Sequence, residues 1–210
     1  GNLHSGGGFQ QTLNMVLLLA RQAKGRHGFT FFTNERSNVE ELAKHEVQAN
    51  YLELNRRERW IVRFRSTISG NHWSNRLGIG NPFDRKLDKF GIDLLYFPNP
   101  SGLALMTEKH NFVFTVWDLF HRDFMEFPEA RDYRSFEARE AMFKGALPKA
   151  VAVITESERG KQNVIRRYGV DHERVHVIPF SPAEIVAASA NKEGPEEINV
   201  REKYDLHGDF

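Results

Sequence analysis

The chain has 210 residues, 40% hydrophobic, 27% charged and 12% aromatic, which is room for one substantial globular domain or for one domain and a fragment of another. Its 29 basic and 28 acidic residues nearly cancel, so no overall field draws it to nucleic acid, and without cysteine it has no disulfide, thiolate nucleophile or cysteine zinc site. No apolar run approaches the roughly 20 residues of a membrane-spanning helix; the expectation is a cytoplasmic protein, at most peripheral to the cytoplasmic membrane.

From Gly8 the pattern is helical: Phe9, Leu13, Val16, Leu17 and Ala20 recur at helical spacing, and Met15, Leu18 and Leu19 widen the stripe. "GRHG" stops this helix and "FTFFT" follows as a short apolar strand. "NVEELAKH" reads as a helix, and "YLEL" as a further strand. "NRRERWIVRFR" interleaves Arg56, Arg57, Arg59, Arg63 and Arg65 with Trp60, Ile61, Val62 and Phe64. It is either a helix with arginines turned to water or a basic, aromatic face for an anionic membrane surface or polyanion, through Arg56, Arg57, Trp60 and Arg63. "GIDLLYFPNP" is a strand closed by prolines, and "NFVFTVWD", "AVAVIT" and "RVHVIPF" are three more. Between them lie the amphipathic helices "RSFEAREAMFKGAL" and "ESERGKQNVIRRYG", the second with Gly169 where a C-cap belongs. Short apolar strands alternating with helices predict an α/β, doubly wound, mostly parallel Rossmann-like sheet. Past Pro182 large apolar residues thin out, and residues 183–210 read as a linker leading into another domain.

The opening "SGGGFQQTLN" places Gly6, Gly7 and Gly8 directly before the first helix. Without side chains there, backbone N–H groups and the helix N-terminus can approach a diphosphate; the plainer reading is a tight turn. A loop of this kind hangs from a strand, which is expected ahead of Ser5. The glycines lack GxGxxG spacing, and no acidic residue closes the following strand unless Glu35 does, which disfavours a dinucleotide enzyme.

Taken in order, the glycine turn, "IDLLYFPNP", "FTVWDLFHRDFMEFPEA", "FEAREAMFKGAL" and "AVAVITESERGKQNVIRRYGVDHERVHVIPFSP" resemble the N-terminal, acceptor-side half of a GT-B glycosyltransferase of the large retaining family 4. The resemblance runs from Ser5 to about Pro182, so that residues 1–182 form the acceptor-side domain, and "REKYDLHGDF" is similar to the lead-in to a donor-binding C-terminal domain. It implies transfer of a sugar, with retention, from a nucleotide-sugar to a glycan or lipid-linked acceptor, as in polysaccharide biosynthesis. It implies no metal and no cofactor, and a fragment inactive by itself, because the donor pocket and paired glutamates of that family belong to the second domain.

The family commonly carries His-Asp where this chain has Trp117-Asp118, so the role of that histidine is not carried over, while Asp118 matches. At the C-terminal end of a strand, Asp118 is placed to accept from sugar hydroxyls or to orient His121, a group that titrates near neutrality; Arg122 is suited to a phosphate or carboxylate. A turn-forming aspartate and a surface histidine are the plainer readings. Glu156 and Ser157 match a family turn lining the cleft, with Ser157 also the N-cap of its helix. The alternatives to a transferase are another GT-B enzyme, such as a sugar-nucleotide epimerase, and a non-catalytic sugar-binding module, which Trp117 favours.

Overall fold

A computed structural model describes residues 7–22, 27–65, 68–131 and 133–180. Gly6, the strand expected ahead of Ser5 and the linker expected over 183–210 lie outside the described residues. The elements alternate as the apolar runs require. They are α1 (Gly7–Gln22), β1 (Phe31–Thr33), α2 (Arg36–Lys44), β2 (Ala49–Tyr51), α3 (Arg56–Arg65), α4 (Ile68–Arg76), α5 (Pro82–Asp88) and β3 (Leu94–Phe97). There follow β4 (Asn111–Val116), the short turns α6 (Phe120–Asp123) and α7 (Pro128–Arg131), then α8 (Tyr133–Ala146), β5 (Ala152–Thr155), α9 (Glu158–Tyr168) and β6 (Val175–Val177).

Every strand pair is parallel, in two ladders: β1 with β2, and the order β3-β4-β5-β6. The Rossmann-like reading therefore stands, although among the described residues the sheet comes in two pieces. Both pieces line a cleft of about 1610 Å³, with Thr12, Leu13 and Val16 of α1 and Leu87 and Phe90 at its walls.

The larger sheet buries one face fully, while residues of the other, such as Tyr96, Val113 and Ile154, are half-buried. Phe112, Phe114 and Thr115 of β4 and Val153 of β5 are almost wholly enclosed. The ring of Phe114 meets Phe143 of α8 edge-on at 6.3 Å, and Phe97 meets Phe112 at 5.6 Å. Each such ring stabilises the fold by roughly 1.5–3 kcal/mol relative to exposure, so this sheet carries the core.

Local caps fix where the helices begin and end. The Ser157 hydroxyl accepts from the Gly160 N–H at 3.1 Å at the start of α9, and Gly169 closes it in the left-handed region (φ 64°), its N–H bonded to the Ile165 carbonyl. There a glycine avoids the steric cost of a Cβ. Helix α5 starts where Asn81 accepts from the Phe83 N–H at 2.9 Å ahead of Pro82 at the first helical position. Of the five arginines interleaved in α3, Arg65 departs from the surface reading. It is buried, with its guanidinium on Glu108 (2.5 and 2.8 Å), the Ile79 carbonyl and Asn75, and it ties α3 to the loop before β4. Its position three residues beyond the buried Val62 puts it on the inward stripe.

Candidate functional site

Parallel α/β sheets present ligands to the loops that follow their strands, and two such loops, after β4 and after β5, carry polar residues singled out from the sequence. After β4 the chain turns through Trp117, Asp118 and Leu119 into α6. The Asp118 carboxylate accepts from the Phe120 N–H at 2.9 Å, which shapes the turn, and from Arg139 at 3.1 Å. After β5 come Glu156 and Ser157. The Ser157 hydroxyl donates to Glu156 Oε1 at 2.9 Å while it caps α9, and Glu156 Oε2 is buried with no hydrogen-bond partner among the described residues. The two turns enclose a cleft of about 460 Å³ lined by Asp118, Arg139, Glu156, Ser157, Arg159 and Asn163, among others. It offers two carboxylates as acceptors, and arginine and amide groups as donors: the complement of a polyhydroxylated ligand.

The glycine turn reaches the same edge through Trp117. A Cβ built on Gly8 would stand 2.5 Å from Trp117 Cζ3, so this ring lies directly on the α1 backbone, and it also meets Phe180 edge-on at 6.4 Å. Gly8 thus meets an indole at a distance that leaves no room for a Cβ. Gly7 begins α1.

His121 and Arg122 turn away from the cleft. The sequence reading set His121 beside Asp118; the structure buries it, 1% exposed, stacked on Phe143 at 5.6 Å and 17°. Its Nε2 lies 2.9 Å from Glu140 Oε1 and 3.2 Å from the Tyr168 hydroxyl, and Asp118 does not touch it. Arg122, read as suited to a phosphate or carboxylate, forms a fork with the chain's own Glu140 carboxylate at 2.5 and 2.6 Å and lies over the Tyr168 ring at 4.7 Å. Asp123 accepts from Asn163 at 3.0 Å and pairs with Arg167. The segment from His121 to Asp123 therefore fastens α6 to α8 and α9, and holds the Asp118 turn from behind.

The electrostatics follow from this packing. Arg122 above all, then Lys144, Tyr168 and His121, hold the Glu140 carboxyl far below the usual carboxylate range against the cost of burying it. Burial pushes the His121 imidazole below its ordinary value, although Glu140 pulls the other way. Geometry agrees: charging the ring needs a proton on Nδ1, which is buried with no partner among the described residues. Burial, and then the neighbouring Glu140 carboxylate, push the Tyr168 hydroxyl above its ordinary range, so it stays protonated and donates to Glu140 Oε1.

Glu140 is not among the residues singled out from the sequence. A signal was nevertheless present: Phe136, Glu140, Phe143 and Leu147 share one helical stripe, and a carboxylate on an otherwise apolar stripe calls for a cation. Among the described residues no cluster of His, Asp and Glu is arranged to hold a metal ion.

No curated protein matches the chain. Among solved structures it is similar to a glycosyltransferase from Rickettsia africae ESF-5, with a TM-score of 0.51 and 18% identity over 99% of this chain and 48% of that one. The likeness concerns the fold, and the chain spans about half the length of that protein. A family model described as Glycosyltransferase Family 4 matches residues 7–180, nearly the whole described region. By that match, over a parallel α/β sheet whose polar turns gather at the strand ends, this chain belongs to glycosyltransferase family 4.

Proposed function

We propose that the chain is the acceptor-side half of a retaining glycosyltransferase that moves a sugar from a nucleotide-sugar donor to a glycan or lipid-linked acceptor, needing no metal or cofactor. In this reading the cleft between the β4 and β5 turns binds sugar hydroxyls, which Asp118 and Glu156 accept and Arg139 and Ser157 help to orient. The observation that supports it best is Glu156 Oε2, a buried acceptor left without a partner among the described residues where the strand ends converge. Trp117 roofs the glycine turn, so that a donor diphosphate reaches the N-terminus of α1 only past the indole. His121 and Arg122 are positioning residues that set the Asp118 turn. The donor nucleotide is expected to take its main contacts from a C-terminal domain of the same protein.

Calorimetric titration of the protein with oligosaccharide acceptors tests the cleft. Glu156→Gln is expected to weaken acceptor binding about tenfold, the range of one hydrogen bond to a charged group, without lowering the melting temperature. Asp118→Asn is expected to do the same with some loss of stability, because it also shapes a turn. Unchanged affinity in both variants would overturn the assignment of the cleft. A non-catalytic sugar-binding module is a second reading, favoured by Trp117 where the family commonly carries histidine. A transfer assay on the full-length protein with labelled nucleotide-sugars separates the two, since binding without transfer supports the module.

A further inference from the structure

Helix α3 is amphipathic in an unusual sense. Glu58, Val62 and Arg65 face inward, with Glu58 paired to Lys86 at 2.9 Å and Arg65 to Glu108. At 100° per residue the opposite side carries Arg56, Trp60 and Arg63, flanked by Arg57, Arg59 and Phe64. An ordinary surface helix turns its aromatic residues in and its arginines out. Here Trp60 is 65% exposed and stacks on Phe64 at 5.3 Å and 3°, so the aromatic pair stands in the middle of the basic face.

Helix α4 packs against α3 and carries Trp73, 53% exposed, with Leu77, 66% exposed, in the turn just after it. Single exposed apolar side chains are normal, but two tryptophans on adjoining helices are a concentration. Charge is concentrated as well. From Arg56 to Arg76 five exposed arginines (Arg56, Arg57, Arg59, Arg63 and Arg76) stand against one carboxylate, Glu58, which faces inward, in a protein of net charge +1.

We infer that the outer face of α3, with its neighbour α4, docks on an anionic lipid bilayer surface. Guanidinium groups meet headgroup phosphates, and Trp60 and Phe64 enter the boundary between headgroups and acyl chains, where an indole finds both apolar contact and a hydrogen-bond acceptor. No helix among the described residues is long and apolar enough to cross a membrane, so the contact is peripheral. This inference is independent of the sugar cleft, because its readout is lipid binding rather than transfer.

Flotation of the purified protein with vesicles tests it. The protein should float with phosphatidylcholine vesicles that contain phosphatidylglycerol, sink with pure phosphatidylcholine, and be released by high salt. Trp60→Ser should lower partitioning about tenfold, and Arg56→Gln with Arg57→Gln on the order of tenfold or more; these side chains are exposed, so circular dichroism should be unchanged. Absence of flotation on anionic vesicles overturns the inference, as does equal flotation of wild type and both variants. Binding to heparin or an acidic polypeptide without binding to vesicles overturns it too, and makes the face a polyanion or protein site.

Discussion

Glu140→Ala should lower the unfolding free energy by about 3 kcal/mol, the lower end of what breaking a buried ion pair costs, because Arg122 keeps some access to water. For a domain of this size that is roughly 6–12 °C in melting temperature. The carboxylate accepts from Arg122, Tyr168 and Lys144 and meets His121, so its removal strands several polar groups at once. Glu140→Gln keeps the shape and loses the charge, and should recover only a minor part of the loss. A change below about 0.5 kcal/mol in both variants would show that α6, α8 and α9 are held by the surrounding rings alone.

The same cluster sets a pH dependence whose sign is fixed. His121 and Glu140 both have folded-state pKa values below their ordinary ones, near 6.5 and 4.5. A group depressed on folding adds stability above its unfolded pKa and loses it as pH falls toward its folded value. Stability should therefore decline from about pH 6.5 downward through His121, and again below about pH 4.5 through Glu140. His121→Gln should be less stable at neutral pH, since it loses the stack on Phe143, but flatter between the two thresholds. A parallel curve in wild type and His121→Gln would place the titration elsewhere.

Five of the six strands were legible because each is a short apolar run between turn residues, whereas β2 (Ala49–Tyr51) falls ahead of "YLEL" and shares only Tyr51 with it. The Ser157 and Gly169 caps were legible for the same local reason. Helix α5 was missed although Asn81-Pro82 is a start signal, since its seven residues are too few for a periodic stripe to stand out. Failures at the site have one cause. Whether His121 faces a cleft or a core is decided by Glu140 and Tyr168, which lie 19 and 47 residues away, and no local pattern carries that. Asp118, Glu156 and Ser157 were reachable because they follow strands directly, and a strand's end fixes its loop at the ligand-binding edge. The split of the sheet across the cleft between β1 and β3 was not expected from the strands themselves; it is a matter of which strands pair, and pairing is a long-range property.

Gly8→Ala should destabilise the protein by about 1–3 kcal/mol, the cost of overpacking a close contact. A Cβ there would lie 2.5 Å from Trp117 Cζ3 and 3.1 Å from Cη2, well inside contact distance. The indole is also in edge-on contact with Phe180 at 6.4 Å, a packing that a shift of the ring would disturb. In a helix the substitution would by itself be favourable, since alanine is the better helix former by up to about 1 kcal/mol. A loss therefore isolates the clash. Trp117→His, which puts the smaller ring that the family commonly carries at this position, should remove the clash, so Gly8→Ala should be neutral or stabilising in that background. The two changes should be coupled by 1 kcal/mol or more in a double-mutant cycle read from denaturant unfolding. Such coupling would make Gly8 and Trp117 one unit, a helical residue left without a side chain so that an indole can lie on the α1 backbone. An equal cost of Gly8→Ala in both backgrounds would mean that the ring does not rest on α1, and would return the glycine turn to the role of a phosphate loop open to solvent.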